Sequence, residues 1–212
     1  MTDILIVDDH PIVREGFVSL VSRAKGFRVT GEAANADEAL NLIRTQRFDI
    51  VLLDISLPGR SGVDLLKQLH AEFPELRVLM LSVYPEKQFA LRCLKAGAQG
   101  YLAKESTGGE LITAIRTVEQ GKRYVTHTLA QQLADVVNLD TTNPLHDSLS
   151  DREFEILCML GQGKSVAQVA SILSLSVPTV HTYRARILAK MNLESNADLI
   201  FYVLEHHLVI RH

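Results

Sequence analysis

The chain has 212 residues, 47% hydrophobic and 22% charged, with a formal net charge of −3; that composition excludes disordered and fibrous classes and suits one large core or two small ones. Charge names no partner, because residues 1–147 carry 16 Lys plus Arg against 19 Asp plus Glu and residues 148–212 carry 6 of each. Cys93 and Cys158, far apart in apolar helical patterns, read as buried thiols rather than a disulfide or metal cluster, and the absence of a leader or of about 18 consecutive apolar residues predicts a cytoplasmic protein with no membrane segment.

Through the first 120 residues, short apolar runs alternate with helical periodicity. The runs are Ile4–Val7, Val29–Ala33, Ile50–Leu53, Val78–Leu81 and Gly100–Ala103, and between them apolar residues recur at three- and four-residue spacing, as at Ile12, Phe17, Leu20 and Val21. Five repeats of strand then helix predict a parallel sheet with helices on both faces. Residues 121–147 differ: one amphipathic patch, Leu129–Val137, precedes a polar run ending in Asn-Pro, which predicts a short helix and then a linker. From Ser148 only helices are predicted, at 151–161, 166–173, 177–191 and 196–206. The expected organisation is therefore an α/β domain over 1–121, a linker with a short helix over 122–147, and an all-α domain over 148–212.

Residues 49–59, "DIVLLDISLPG", run an apolar strand straight into Asp54 and a turn. A buried carboxylate needs a compensating charge, and in a doubly wound sheet ligands bind outside the carboxyl ends of the strands. Those ends hold Asp8 and Asp9 after the first strand, Asp54 after the third, Ser82 after the fourth and Lys104 after the fifth. In the flavodoxin-like order 2-1-3-4-5, three acids meet a hydroxyl and an ammonium at one rim. Crowded carboxylates raise one another's pKa unless a cation balances them, and all-oxygen ligation with room for water suits Mg2+. Asp54, on the central strand beside an open turn, is the candidate nucleophile for a phosphoryl group, with the metal and Lys104 balancing the charge of the transferring oxygens.

These residues carry a family resemblance. Asp8-Asp9, Asp54 before "SLPGRSG", Ser82 closing "VLMLS" and Lys104 in "GYLAK" make residues 1–120 similar to the receiver domain of bacterial two-component response regulators. The resemblance implies that Asp54 is phosphorylated by a sensor histidine kinase, that Asp9, Asp54 and the Ser56 carbonyl hold Mg2+, and that Asp8 reaches the ion through water. It also assigns Ser82 and Tyr101 a switch role, in which the hydroxyl closes on the phosphoryl group and the ring turns inward. Two departures from the pattern stand out. Glu105 follows Lys104 where many receivers have proline, and the switch hydroxyl is Ser rather than Thr.

In the C-terminal part, "GQGKS" lacks the first glycine of a phosphate loop, since Cys158 stands there, and no strand precedes it. It reads as a helix C-cap turn with Gly161 or Gly163 at positive φ. Ser176 is a good N-cap and Pro178 fits the first turn. At about 100° per residue, Val180, Tyr183, Ile187 and Met191 form a core stripe, which leaves His181, Thr182, Ala185, Arg186 and Ala189 outward. Two such helices joined by a short turn fit a helix-turn-helix or a merely structural pair. Residues 149–193 resemble the LuxR-type DNA-binding domain, and the whole chain resembles the NarL/FixJ family. The resemblance implies base-edge contacts from His181, Thr182 and Ala185 and phosphate contacts from Thr179, Arg184, Arg186 and Lys190. With few cations per copy, tight binding to double-stranded DNA is expected of a homodimer formed on phosphorylation. Leu199, Ile200, Val203 and Leu204 of the last helix serve the core or that dimer, and RNA polymerase is a further expected partner.

The expectation is a DNA-binding transcription regulator, not an enzyme. Its rival is a magnesium-dependent aspartyl-phosphate phosphotransferase or phosphatase. That class places D-x-D after its first strand, whereas here the acids are adjacent, and it has no use for a helix-turn-helix.

Overall fold

The computed structural model describes residues 1–84, 86–131, 144–206 and 208, excepting the side chains at 87 and 88. Contacts divide the chain into two compact units, Met1–Val137 and Asn138–His212.

In the first unit, strands β1 (Thr2–Val7), β2 (Phe27–Ala33), β3 (Ile50–Asp54), β4 (Arg77–Ser82) and β5 (Gly100–Ala103) form one parallel sheet in the order β2-β1-β3-β4-β5. Helices α1 (Pro11–Ser22), α2 (Ala36–Thr45), α3 (Gly62–Glu72), α4 (Glu86–Lys95) and α5 (Gly108–Glu119) connect and follow them. This is the flavodoxin-like arrangement that the alternation predicts. Every residue of β3 is buried, as a central strand covered on both faces requires, while the edge strand β2 exposes Arg28. Ile4, Ile6, Ile50, Leu52, Leu79 and Leu81 share one face and pack with Phe17 and Val21 of α1 and Leu111, Ile115 and Val118 of α5. Period-two alternation turns Leu5, Val7, Val51, Leu53 and Tyr101 to the other face. Each such side chain contributes about 1.5–3 kcal/mol on burial, so truncating Leu52 to Ala costs roughly 2–5 kcal/mol.

Register sets the site. Val7 lies opposite Leu53 and Asp54 opposite Leu81, so the strands end level and the residues after β1 come up beside Asp54. The β3–α3 loop then folds back tightly, with Gly62 N–H donating to the Ile55 carbonyl at 2.7 Å. A Cβ on Gly62 would sit 1.9 Å from the Asp54 carbonyl oxygen, so only glycine closes this loop. Beyond α5, Tyr124 forms a bridge to Gly100, and its N–H donates to the Gln99 carbonyl at 2.8 Å. Residues 127–131 are helical; the remainder of the helix expected over Leu129–Val137, and the linker through 143, lie outside the described residues.

The second unit is helical throughout its described part: a 3-10 turn (Leu145–Ser148), then α6 (Asp151–Gly161), α7 (Val166–Ile172), α8 (Val177–Met191) and α9 (Asn196–Glu205). Reciprocal capping boxes open three of them, Ser150 with Glu153, Ser165 with Gln168 and Ser195 with Asp198. Each satisfies two backbone donors that would otherwise lack partners. Ser176 caps α8, whose far end stops at Asn192 in the left-handed region with φ 52°. Of the two glycines considered for the α6 terminus, Gly163 carries the positive φ, at 82°. Gly161 serves close packing instead, since a Cβ there would meet Val203 at 2.4 Å.

Candidate functional site

Four strand ends converge as the register dictates. Asp8 is fully buried, Asp54 is 2% exposed and Ser82 is fully buried. Lys104, placed by its own N–H donating to the Ser82 carbonyl at 2.7 Å, extends its ammonium between two acids, with Nζ 2.6 Å from Asp8 Oδ2 and 2.7 Å from Asp54 Oδ2. The Ser56 backbone donates to the Asp54 carboxylate. Asp9 lies at the mouth, its Oδ1 2.7 Å from His10 Nδ1. A surface groove of about 770 Å3 opens at the amino-terminal ends of β3 and β4, lined by residues such as Phe48, Phe73 and Arg77. It lies at the opposite end of the strands from these acids and takes no part in their chemistry.

Burial pushes the Asp54 carboxyl up to about 7; the Lys104 ammonium pulls it down and Asp8 adds to the rise. Burial disfavours the Lys104 ammonium, but Asp54 and Asp8 together hold its pKa above the ordinary lysine value. Both effects are those of charges held out of water close to one another.

Behind this layer, Tyr101 is fully buried and its hydroxyl donates to the Tyr84 carbonyl at 2.7 Å. Tyr84 N–H donates in turn to Ser82 Oγ at 2.9 Å, and Ser82 and Tyr101 share a hydrogen bond. Because the phenol proton goes to Tyr84, Ser82 is the donor in that bond. Burial pushes the Tyr101 phenol well above its usual range, which keeps it a donor. The ring thus stands inward, the position that the resemblance assigns to the phosphorylated state. The Tyr84 carbonyl and a stack of Tyr84 on Phe89, centroids 4.6 Å apart, surround that position.

In the second unit, α8 packs against α6 and α7. Val180, Ile187 and Met191 are buried, and His181, Thr182, Ala185 and Arg186 are exposed. Thr179 is half-buried and joined to the Ser176 cap, Oγ1 to Oγ 2.7 Å. Two of the expected phosphate contacts are engaged elsewhere. Arg184 Nε donates to Asn196 Oδ1 at 2.5 Å, and Lys190 Nζ donates at 2.6 Å to Glu153 Oε2, which also accepts from Ser150 N–H. Burial would raise the Glu153 carboxyl, yet Lys190 and Ser150 hold it below the usual range. On α9 the buried residues are Leu199, Tyr202 and Val203, while Ile200 and Phe201 are exposed. The core stripe of α9 therefore runs through Tyr202 rather than Ile200, because the phenol reaches His146 Nδ1 at 2.9 Å.

The family model described as the response regulator receiver domain matches residues 4–116, and that of bacterial regulatory proteins, luxR family, matches residues 147–203. The chain belongs to the luxR family of response regulators. It is 35% identical over 213 residues to the response regulator UvrY of Escherichia coli strain K12, covering 100% of this chain and 95% of that one. Identity to the response regulator GacA of Pseudomonas aeruginosa is also 35%, over 214 residues, covering 99% and 98%. RcsB from Salmonella enterica serovar Typhimurium, solved bound to promoter rprA with phosphomimetic BeF3−, is 23% identical with a TM-score of 0.66, covering 96% of this chain and 98% of that one. That last likeness is one of fold.

A response regulator's receiver implies a divalent cation, and the donor set of this one fits it. One ligand atom each from Asp8, Asp9, His10 and Asp54 lie within 4.8 Å of one another. Two buried carboxylate oxygens, Asp8 Oδ2 and Asp9 Oδ1, have no well-aligned hydrogen bond; Lys104 provides Asp8 with an ion pair alone. Three acids and one ammonium leave a deficit of positive charge that a dication fills. His10 and Tyr84 are the site residues that sequence reasoning missed. The signals were present, as the side chain directly after the acidic pair and the aromatic two positions after Ser82.

Proposed function

We propose that this response regulator is a DNA-binding transcription factor switched by phosphorylation of Asp54, with residues 1–121 as receiver, 122–147 as linker and 148–212 as the DNA-binding part. The observation that carries this reading is Lys104 Nζ held between Asp8 and Asp54 beside Asp9 at the carboxyl edge of the sheet. An Asp54 carboxylate oxygen attacks the phosphorus of a phosphohistidine on a sensor kinase. The P–N bond breaks, its electron pair stays on the imidazole nitrogen, and an acyl phosphate forms on Asp54. Mg2+ held by Asp9, Asp54 and the Ser56 carbonyl, with Asp8 alongside, supplies the positive charge that keeps Asp54 ionised and balances the phosphoryl oxygens. Lys104, already between two carboxylates, moves from Asp54 to a phosphoryl oxygen.

Ser82 supplies the link to the switch. It has one hydroxyl proton, donated to Tyr101 or to a phosphoryl oxygen but not to both. Phosphorylation therefore rewires the Ser82, Tyr84 and Tyr101 network, and a ligand shifts a conformational equilibrium by such a difference in contacts. The output is dimerisation and promoter binding. His181, Thr182 and Ala185 face base edges in the major groove, and Thr179, Arg186, Arg184 and Lys190 face phosphates, the last two after leaving Asn196 and Glu153. Two copies double a small set of phosphate contacts, and the bound dimer engages RNA polymerase. No helix among the described residues is long and apolar enough to cross a membrane, and a cytoplasmic location follows from the DNA target.

The chain turns over no external phosphate ester, since Asp8 and Asp9 are adjacent rather than spaced as D-x-D. Labelling by radioactive acetyl phosphate in Mg2+ tests the proposal. Wild type should label and Asp54→Ala should not; persistent labelling of Asp54→Ala places the nucleophile elsewhere.

A further inference from the structure

The side chain of His10 has no structural duty to explain its orientation. Pro11 follows it and confines its backbone to the extended region, φ −92° and ψ 109°. Its N–H donates to Asp8 Oδ1 at 2.9 Å, which fixes the turn. It occupies the N-cap position of α1 yet makes no side-chain cap bond. The imidazole, 64% exposed, instead aims Nδ1 at the acids, 2.7 Å from Asp9 Oδ1 and 3.4 Å from Asp8 Oδ1. A buried oxygen of that same Asp9 has no well-aligned hydrogen bond.

We infer that this pocket accepts a late first-row transition-metal dication, Zn2+ or Co2+, with His10 Nδ1 as a ligand beside Asp9 and Asp54, in addition to Mg2+. The inference rests on the metal pocket proposed above and concerns which cations it takes. Oxygen donors suit Mg2+, whereas a neutral imidazole adds strength for Co2+, Ni2+ and Zn2+. Ligands at about 2.0–2.2 Å in a tetrahedral shell lie roughly 3.4 Å apart. His10 Nδ1 is already at 3.4 Å from Asp8 Oδ1, and an exposed ring can back away from Asp9 by the few tenths of an ångström that an ion between them needs. Mg2+ gains little from the ring. His10 therefore tunes selectivity without being needed for Mg2+.

Calorimetric titrations of the EDTA-stripped full chain with Mg2+ and with Co2+, on wild type, His10→Asn and Asp9→Asn, test this. His10→Asn should weaken Co2+ by at least about tenfold, the lower range for losing even an outer-shell partner, while Mg2+ affinity changes by less than about twofold. The visible Co2+ spectrum should change in His10→Asn, and a paramagnetically shifted His10 ring proton should appear in wild type alone. If Asp9→Asn loses both ions while His10→Asn keeps wild-type Co2+ affinity and spectrum, the His10 assignment is overturned and the pocket stands. If Asp9→Asn binds both ions as wild type does, the pocket falls and the assignment with it.

Discussion

At the sheet rim, each functional charge has another functional charge as its partner; on α8, polar residues either face solvent or are tied to structural residues of neighbouring helices. Lys104 bridges Asp8 and Asp54, and all three are nearly out of water, so removing one member strands the others. On α8, His181, Thr182 and Arg186 are exposed and held by nothing that folding requires. The difference teaches where a mutation will register. Rim substitutions act on stability and chemistry together, whereas substitutions on the outward face of α8 act on binding alone.

The hardest test of that contrast is Lys104→Met, which leaves buried carboxylates without their cation. Breaking such a pair costs roughly 3–5 kcal/mol, to be read as a drop in the urea midpoint of metal-free protein, with Mg2+ restoring part of it. A change below about 1 kcal/mol would put the rim in the same class as a surface ion pair. A second test is pH. Asp54 has a pKa of about 7 in the folded chain against a model value of 3.8, so between those values the folded state keeps a proton that the unfolded state has lost. That contribution is full below the lower value and is lost as pH rises through the upper one. In metal-free buffer wild type should therefore lose stability relative to Asp54→Asn as pH rises through this window, by at most about 1.4 kcal/mol per unit. Parallel curves would refute it.

Smaller effects sharpen the comparison. Arg186→Ala should leave the melting temperature unchanged and reduce the slope of log affinity for DNA against log salt by about one; an unchanged slope would remove Arg186 from the phosphate contacts. Tyr101→Phe deprives the buried Tyr84 carbonyl of its donor and should cost about 1–3 kcal/mol. It should also narrow the gain in DNA affinity on adding beryllofluoride, and an undiminished gain would separate Tyr101 from the switch. The smallest change is expected from Lys190→Ala. Its half-exposed pair with Glu153 is worth a few tenths of a kcal/mol, and its DNA salt slope should fall by less than that of Arg186→Ala, because part of its charge is already spoken for.

The sheet was legible because each strand is a short apolar run punctuated by turn residues, and a parallel order follows from alternation with helices. The acids were legible for a related reason, since carboxylates directly after buried runs can only sit at the carboxyl rim. What stayed hidden depends on contacts that no periodicity encodes. Lys190 and Glu153 are 37 positions apart and meet through the packing of α8 on α6. Tyr84 reads as any aromatic after a strand until its carbonyl is found under the Tyr101 hydroxyl. The stripe on α9 was misplaced by one step because aliphatic residues alone were counted and the phenol of Tyr202, satisfied by His146, was not.

The clash that any larger residue at position 62 would make with the Asp54 carbonyl has a mechanical corollary. The backbone carrying the nucleophile is clamped by a loop with no slack, joined to its neighbour by the Ile55 N–H to Leu81 carbonyl bond at 3.2 Å. When Asp54 gains bulk, that side of the rim cannot recoil. Displacement is directed to the compliant side, where hydroxyls can trade partners, so the stiffness of one loop gives the signal its direction.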